Sequence, residues 1–487
     1  MRILIAVSEF HPFSKTGGLA DMVAAMAKTL ARRGHQITVV TPFYKCVQEK
    51  CANLNISLLT KAEIQLGSSI VEAEFLEHYL EQNLKIVFIK QNQFYYRDSV
   101  YVDSNGSDYT DNAERFIFFS KSAIELSQKS EFIPDIIHVH DWQTALVPLF
   151  IKHFNDKYEK PPKSLLTIHN LAFQGVFPKE KYNLTNLPWE YFNPQGVEFY
   201  DNLNCLKAGI VYSDKIITVS PRYAREILTP EFGCGLDGVL RWRNHSLIGI
   251  LNGVDYEEWN TENNPYLYAH YNVNKISGKN ICKKRLQKEF KLAESTEIPL
   301  FATISRLTSQ KGMDILLDAL KTALATYNMQ FILLGRGEPY FEAGFAMLNQ
   351  NYPDKVRVLI GFDQVLAHKI ESGADFFIMP SRFEPCGLNQ MYSLKYGTIP
   401  IVRRTGGLDD SVVDFTDDPQ IANGIKFTDY SPAALLKAIQ KALAIFPNKK
   451  LLKFYRTNGM LADFSWNKAA TEYEKVYKSL LNNELNK

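Results

Sequence analysis

Residues 2–40 read RILIAVSEFHPFSKTGGLADMVAAMAKTLARRGHQITVV. The run Ile3 to Val7 is short, apolar and continuous, which suits a strand buried on both faces of a parallel sheet. From Ala20 to Arg33 the apolar residues Met22, Val23, Met26 and Leu30 recur at helical spacing, and Gly34 stands just past the end as a C-cap. A second β-branched run, Ile37 to Val40, follows at once. Strand, turn, helix and strand in that order are one unit of a doubly wound α/β sheet.

The alternation continues through Ile86 to Ile89, Ile136 to Val139, Leu165 to Ile168 and Ile216 to Val219. It begins again with Phe301 to Ile304, Phe331 to Leu334, Val356 to Ile360, Phe376 to Met379 and Ile399 to Val402, separated by helical stretches such as Asp314 to Ala323. Two α/β domains of about 200 residues each are expected. Between them, Ile250 to Phe290 is rich in Asn, Tyr and charge and reads as the linker region. A last helix, near Trp466 to Leu481, follows the second set and is free to pack back on the first domain. Ligands of such sheets bind beyond the carboxyl ends of the strands, and two domains make the cleft between them the default site.

Composition narrows the class. The chain has 487 residues, 46% of them hydrophobic and 22% charged, which suits a large core and excludes wholesale disorder. A net charge of +2 is no footprint of a dedicated nucleic-acid binder. Cysteines at 46, 51, 205, 234, 282 and 386 form no CxxC pair and no zinc-finger pattern. Cys46 and Cys51 are close enough to form one clip, but scattered buried thiols of a reducing compartment are the better reading. The first apolar run ends within seven residues and reads as a strand, not a signal peptide. No stretch approaches a membrane span. A cytoplasmic protein of enzyme size, with no membrane and no nucleic-acid partner, is expected.

Five strings after strands carry candidate chemistry. Ser14 to Asp21, SKTGGLAD, places two glycines at a helix start beside Lys15, which suits a phosphate or, equally, an ordinary strand–turn–helix joint. SRLTSQKG, Ser305 to Gly312, puts Arg306 and Lys311 on one loop, able to clamp a diphosphate from two sides. SRFEPCGLNQ, Ser381 to Gln390, has a Pro and a Gly making a tight turn, with Glu384 free to reach a hydroxyl or a developing cation. Cys386 in the same turn reads as a packed small hydrophobe. RRTGGLDD, Arg403 to Asp410, offers Gly406 and Gly407 as a second amide cradle. His138, His140-Asp141-Trp142 and His169-Asn170 end two apolar runs. Their spacing follows no metal-ligand rule, so no metal is expected.

Taken together and in this order, KTGGLAD, HVHDW, TIHN, SRLTSQKG, SRFEPCGLNQ and RRTGGL resemble the signatures of the bacterial glycogen synthases and plant starch synthases, over essentially the whole chain. The resemblance implies a GT-B glycosyltransferase: two Rossmann-like domains facing a deep cleft. Residues 1–247 would form the acceptor-side domain, completed by the helix at 465–487, and residues 254–464 the domain that binds the nucleotide sugar. The implied reaction is retaining transfer of glucose from ADP-glucose to the non-reducing 4-hydroxyl of an α-1,4-glucan, with no cofactor. By motif, Arg306 and Lys311 would neutralise the leaving diphosphate. Lys15, Gly18 and Asp21 would lie at the donor, and Gly406 and Gly407 would give amides to phosphate. Glu384 would stabilise the transferring glucose, with His169 orienting it. Asp141 and Asn252, the latter in LNGVD, would make further donor or acceptor contacts, and Cys386 lies within the signature with no chemical step. Tyr95 matches a family aromatic near the donor. Phe362 stands where the family often has Tyr, keeping the face that stacks on a base and losing the hydroxyl.

Two rival readings share these residues. A sugar-nucleotide epimerase of the same architecture would release a small product without polymer, and a non-catalytic glucan or nucleotide-sugar binder would have lost the charged set. Retention normally suggests a nucleophilic carboxylate, but the sequence shows no obvious carboxylate pair at a single site, and the resemblance implies a front-face route in which a diphosphate oxygen takes the acceptor proton. Since Lys15, Arg306 and Lys311 supply positive charge where the leaving group forms, activity is expected to survive EDTA, and loss of turnover restored by added divalent ions would refute that account.

Overall fold

In the computed structural model, which describes residues 1–50, 54–129 and 133–482, the early runs become the centre of a mixed sheet. Its strands are β1 (Arg2–Ala6), β2 (Gln36–Pro42), β3 (Ser57–Leu66), β4 (Ser69–Glu81), β5 (Leu84–Lys90), β6 (Ile136–His140), β7 (Lys163–Ile168), β11 (Lys215–Thr218) and β12 (Leu247–Gly249). The order is β12-β11-β7-β6-β1-β2-β5-β4-β3. From β12 to β5 neighbours run parallel, while β4 is antiparallel to both β5 and β3. Ile3, Leu4 and Ile5 are buried, as expected for a central strand covered on both faces. A small antiparallel sheet of β8 (Val176–Pro178), β9 (Glu198–Phe199) and β10 (Asn202–Asn204) is inserted between β7 and β11.

The second set of runs forms β13 (Leu300–Leu307), β14 (Gln330–Gly337), β15 (Val356–Ile360), β16 (Phe376–Met379), β17 (Ile399–Arg403) and β18 (Ile425–Phe427). They make a wholly parallel sheet in the order β15-β14-β13-β16-β17-β18. One face packs Phe301, Phe331 and Phe376 against the helices Met313–Thr326 and Pro432–Ile445. The other packs Ala302, Ile332 and Phe377 against Leu286 and Ile370, from the helices Ser277–Glu289 and Gln364–Gly373.

Two features depart from the sequence reading. The β3–β4 hairpin was not among the expected strands. Its buried residues Ala62, Ile64 and Leu66 alternate with exposed ones, so it buries one face and shows no continuous apolar run. The expected linker, Ile250 to Phe290, is mostly folded structure. Trp259 stacks on Tyr392 with centroids 3.7 Å apart, the Tyr271 hydroxyl donates to the Tyr396 carbonyl (2.9 Å), and Lys283 bonds Asp375 (2.7 Å). Its aromatic and charged residues are packing groups, and the chain passes from the first unit to the second between Gly253 and Val254.

Contacts divide the chain into one unit of residues 1–219, 224–253 and 466 onward, and another of 220–223 and 254–465. Residues 220–223 are sewn into the second by two bonds: the Ser220 hydroxyl donates to the Pro385 carbonyl (2.7 Å) and the Arg222 amide to Asp410 (2.6 Å). Among the described residues no helix is long and apolar enough to cross a membrane. Cys46, Cys205, Cys282 and Cys386 are at least partly buried, Cys234 is exposed, and none of these five is in a disulfide. A Cys46–Cys51 clip lies outside the described residues, because Cys51 is not among them.

The helix Trp466–Asn482 belongs to the first unit, where it packs on the helix Gly18–Arg32. The Tyr477 hydroxyl bonds His138 Nδ1 (2.9 Å), Arg33 grips Glu474 through two bonds of 2.9 and 2.8 Å, and His35 Nε2 adds a third (3.0 Å). The bonds from Arg33, with His35 behind, hold the Glu474 carboxyl down at about 2, against an ordinary 4.5. A folded-state pKa below the unfolded one stabilises above about pH 4.5 and is lost as pH falls towards 2. Glu474→Gln is expected to lower the thermal midpoint at pH 7 by a few degrees. The gap from wild type should shrink as pH drops below about 4.5, and a gap unchanged at pH 3 would show that charge is not what fastens this helix.

Candidate active site

In each sheet the chain first winds outward and then returns beside its own first strand. The first unit runs from β1 to β2 and β5 and comes back to β6 next to β1, and the second runs from β13 through β14 and β15 and comes back to β16 next to β13. Loops leaving two such neighbours turn opposite ways and open a crevice at their carboxyl ends. The candidate residues gather at these two crevices.

At the end of β1 lies Glu9, only 2% exposed. It accepts hydrogen bonds from the Thr16 amide, the Thr16 hydroxyl (2.6 Å) and the Tyr101 hydroxyl (2.6 Å), and Tyr101 also meets Ser8 (2.7 Å). The buried carboxylate thereby fixes the loop that carries Lys15, Gly17 and Gly18. Lys15 pairs with Asp21 in the first turn of the helix Gly18–Arg32 (2.7 Å). Gly17 caps that helix with no side-chain bond, so the helix start offers backbone amides to an anion.

At the ends of β6 and β7, Asp141 takes a left-handed conformation (φ 56°) and accepts from the His169 amide (2.7 Å). Burial pushes its carboxyl up to about 7. His169 Nε2 lies 3.0 Å from His140 Nδ1, and burial pushes both imidazoles down, His169 to about 3, so both are neutral near pH 7. His140 Nε2 is buried with no partner. A bare ring nitrogen is cheaper there than a buried N–H with no acceptor, so His140 carries its proton on Nδ1 and donates to His169. His169 is left with an Nδ1–H to offer a ligand. Asn252 is buried, and its Oδ1 also lacks a partner.

In the second unit, Arg306 is exposed at the end of β13 and the short turn Ser309–Lys311 follows. Gly312 sits at φ 73°, and a Cβ there would fall 2.1 Å from the Pro380 carbonyl oxygen, so only glycine lets this loop close on the end of β16. The Arg382 amide then donates to Gln310 O (2.8 Å). That approach brings Lys311 Nζ to 2.5 Å from Glu384 Oε2, which also accepts from the Ser381 hydroxyl (3.1 Å). Glu384 is 5% exposed. Phe362, by contrast, is 78% exposed on the loop after β15.

Two expectations need correction. Tyr95 cannot face a donor: it is fully buried, with its hydroxyl donating to the Arg115 carbonyl (2.9 Å) and its ring against Tyr44 and Phe118. The aromatic that reaches solvent there is Tyr96, 49% exposed. Nor do Gly406 and Gly407 form an amide cradle. The Gly407 amide is spent on the carbonyls of Glu384 (3.1 Å) and Pro385 (3.2 Å). A Cβ on Gly406 would lie 1.9 Å from Glu384 O, and one on Gly407 2.0 Å from Cys386 O. The pair is there to let the Glu384 turn rest on the helix Gly406–Ser411, and buried Cys386 is part of that seat. Glu9, Tyr101 and Ser381 act on the site without having been singled out, and His140, singled out at the end of its run, was given no role there. Glu9 stands two residues past the first apolar run, but nothing in the string says that its carboxylate turns back to Thr16. Among the described residues no group of three or more His, Cys, Asp or Glu side chains could hold a metal ion.

Residues 2–242 match the starch synthase catalytic domain and residues 284–455 match the glycosyl transferases group 1 family. A glycogen synthase of Myxococcus xanthus (strain DK1622) is 46% identical over 99% of this chain and all of that protein. The chain belongs to the glycogen synthase family. Glycogen synthase 1 of Geobacter metallireducens is 41% identical over the whole chain and 97% of its own length. The solved catalytic domain of starch synthase IV from Arabidopsis thaliana, bound to ADP and acarbose, superposes with a TM-score of 0.89 at 34% identity over 99% of both chains. Membership in the glycogen synthase family makes this protein a glycosyltransferase. Gly407→Ala is expected to shift the backbone under Glu384 and lower turnover about 10²-fold with the far-ultraviolet circular dichroism unchanged. Full turnover in a folded Gly407→Ala protein would show that this seat does not position Glu384.

Proposed function

We propose that the protein transfers glucose from ADP-glucose, with retention of configuration, to the non-reducing 4-hydroxyl of an α-1,4-glucan, and so elongates glycogen. The observation that carries this reading is the meeting of Lys311 and Glu384 at the crevice of the second unit, 2.5 Å apart and next to exposed Arg306. An ammonium has three protons. One is engaged by Glu384, which leaves two for the oxygens of the departing diphosphate, and Arg306 adds a planar fork of donors. Charge of that sign, fixed where the leaving group gains its own, lowers the barrier to its departure. Glu384, oriented by Lys311 and Ser381, lies against the sugar as it takes on oxocarbenium character, and Phe362 supplies the face on which the adenine stacks.

The first unit contributes the acceptor side. His169 donates Nδ1–H to a sugar hydroxyl, and Asp141 and the orphaned Asn252 Oδ1 accept from others. Lys15 and the amides at Gly17 and Gly18 suit an anion such as a phosphate. The bond from the anomeric carbon to the diphosphate oxygen breaks and the bond to the acceptor oxygen forms on the same face. The acceptor proton passes to the departing oxygen, so no group on the protein changes its protonation state. Glu384 Oε2 already carries two donors, Lys311 and Ser381, which makes it a poor nucleophile and favours this front-face route over a glycosyl-enzyme. The thiols outside disulfides suit the cytoplasm as the place of action.

Labelled ADP-glucose is expected to enter polymer only when glycogen is present, and faster than UDP-glucose. Label recovered only in a small product would refute the reading. Lys311→Ala is expected to lower kcat about 10²–10³-fold with little change in the KM for glucan, and an unchanged kcat would remove Lys311 from the chemistry.

A further inference from the structure

We propose that Arg336, at the carboxyl end of β14, is a further donor-binding residue of the second unit, whose guanidinium holds the α-phosphate of the nucleotide sugar. The proposal rests on the donor reading above, in which Phe362 takes the base and Arg306 and Lys311 take the departing phosphate.

Arg336 is the Cα partner of Arg306 across the parallel pair β14–β13. Register partners on adjacent strands project from the same face of a sheet, so two guanidiniums emerge side by side from strands about 4.8 Å apart. Both residues are exposed. Like charges placed this way repel and cost stability. Among the described residues no carboxylate pairs with either: the Arg336 side chain has no hydrogen bond or ion pair, and Arg306 meets the neutral Gln310 Oε1 (3.4 Å). The acids of the neighbouring loops are spent on backbone amides. Glu338 Oε1 accepts from Ser309 (3.3 Å), Glu342 Oε1 from Gly337 (2.9 Å) and Asp363 Oδ1 from Leu366 (2.9 Å). The backbone nonetheless holds the two arginines together. A Cβ on Gly335 would lie 2.1 Å from the Ser305 carbonyl oxygen, and one on Gly337 2.2 Å from that of Leu307. The glycines on either side of Arg336 thus let the end of β14 lie close against β13.

Strand order selects the ligand group. The sheet runs β15-β14-β13-β16, and the Gly361 amide donates to the Gly335 carbonyl (3.0 Å) where β15 and β14 end. Phe362 therefore follows the end of β15, Arg336 ends β14, Arg306 ends β13 and Glu384 follows β16. A nucleotide sugar laid across these ends has its base on Phe362 and its departing β-phosphate at Arg306 and Lys311. Its covalent order then puts the ribose and the α-phosphate over β14. A ribose is neutral, whereas the α-phosphate carries a full negative charge and two oxygens that match a guanidinium fork. An anion there also turns the repulsion between the two arginines into a shared attraction. The α-phosphate keeps the same charge while the glucosyl bond breaks, because the new charge falls on the β-phosphate. Arg336 thus binds ground state and transition state alike. It sets the affinity for the donor and for released ADP, and leaves the rate of the chemical step to Lys311.

The test is isothermal titration calorimetry of the full chain with ADP and with AMP, together with steady-state kinetics. Arg336→Ala is expected to weaken both nucleotides about tenfold. The KM for ADP-glucose should rise by the same factor while kcat falls no more than about twofold, with the KM for glycogen unmoved. Since the substitution removes a repulsion, the thermal midpoint is expected not to drop. Arg336→Glu, which reverses the charge, is expected to weaken ADP at least about threefold further. Wild-type ADP affinity in Arg336→Ala would overturn the assignment. ADP weakened with AMP unaffected would overturn the placement at the α-phosphate, and an Arg336→Glu protein no weaker than Arg336→Ala would overturn the role of charge. If the wild type binds ADP in an Arg336-dependent way yet transfers no glucose from ADP-glucose to glycogen, this assignment stands and the proposed function falls.

Discussion

A parallel sheet cannot place consecutive strands side by side in both directions without once reversing its path, and the reversal leaves two neighbouring strand ends whose loops part company. In the second unit those ends are β13 and β16. The end of β13 bears Arg306 and the loop after it Lys311, and the loop after β16 bears Ser381 and Glu384. Their closure depends on one contact, where Gly312 passes the Pro380 carbonyl at a distance that excludes any Cβ. From that contact follows the Lys311–Glu384 pair, and beneath it the glycine pair 406–407 lets the Glu384 turn settle on the next helix.

A buried triad elsewhere in the same unit shows what makes this pair suited to chemistry. Burial would raise the Asp375 carboxyl, but Lys283 and Arg456 at 2.7 and 2.6 Å outweigh it, and the pKa stays low. All three side chains are at most 8% exposed. Such a cluster ties helices to strand β16 and has no face left for a ligand, and breaking it would strand a buried charge. The Lys311 side chain is 18% exposed, enough to remain within reach of a phosphate while Glu384 fixes its direction.

The first unit works by the opposite means. Its crevice holds neutral imidazoles and a carboxyl with a raised pKa, because burial there disfavours charge. Neutral donors and acceptors suit the hydroxyls of a sugar, whereas fixed cations suit a diphosphate. The buried Glu9 serves as an anchor for the Lys15 loop, using its carboxylate on Thr16 and Tyr101.

Much of this was written along the chain. Short continuous apolar runs bounded by turn residues suit strands covered on both faces, so both doubly wound sheets were legible, as were the strings at their carboxyl ends, since local spacing places residues just after a strand. The β3–β4 hairpin was not, because a strand with one wet face alternates and does not stand out from loops. The folded nature of residues 250–290 was not, because Tyr, Asn and Lys are packing groups or solvated ones according to partners far away in sequence. The fate of a side chain within a string was equally hidden. Tyr95 lies in the core and Tyr96 beside it reaches solvent, and the Gly407 amide bonds a carbonyl of another loop. Sequence determines periodicity and the order of motifs through local sterics. Which carboxylate meets which ammonium, and which glycine serves approach instead of anion binding, is decided only when strand order brings distant loops within hydrogen-bond range.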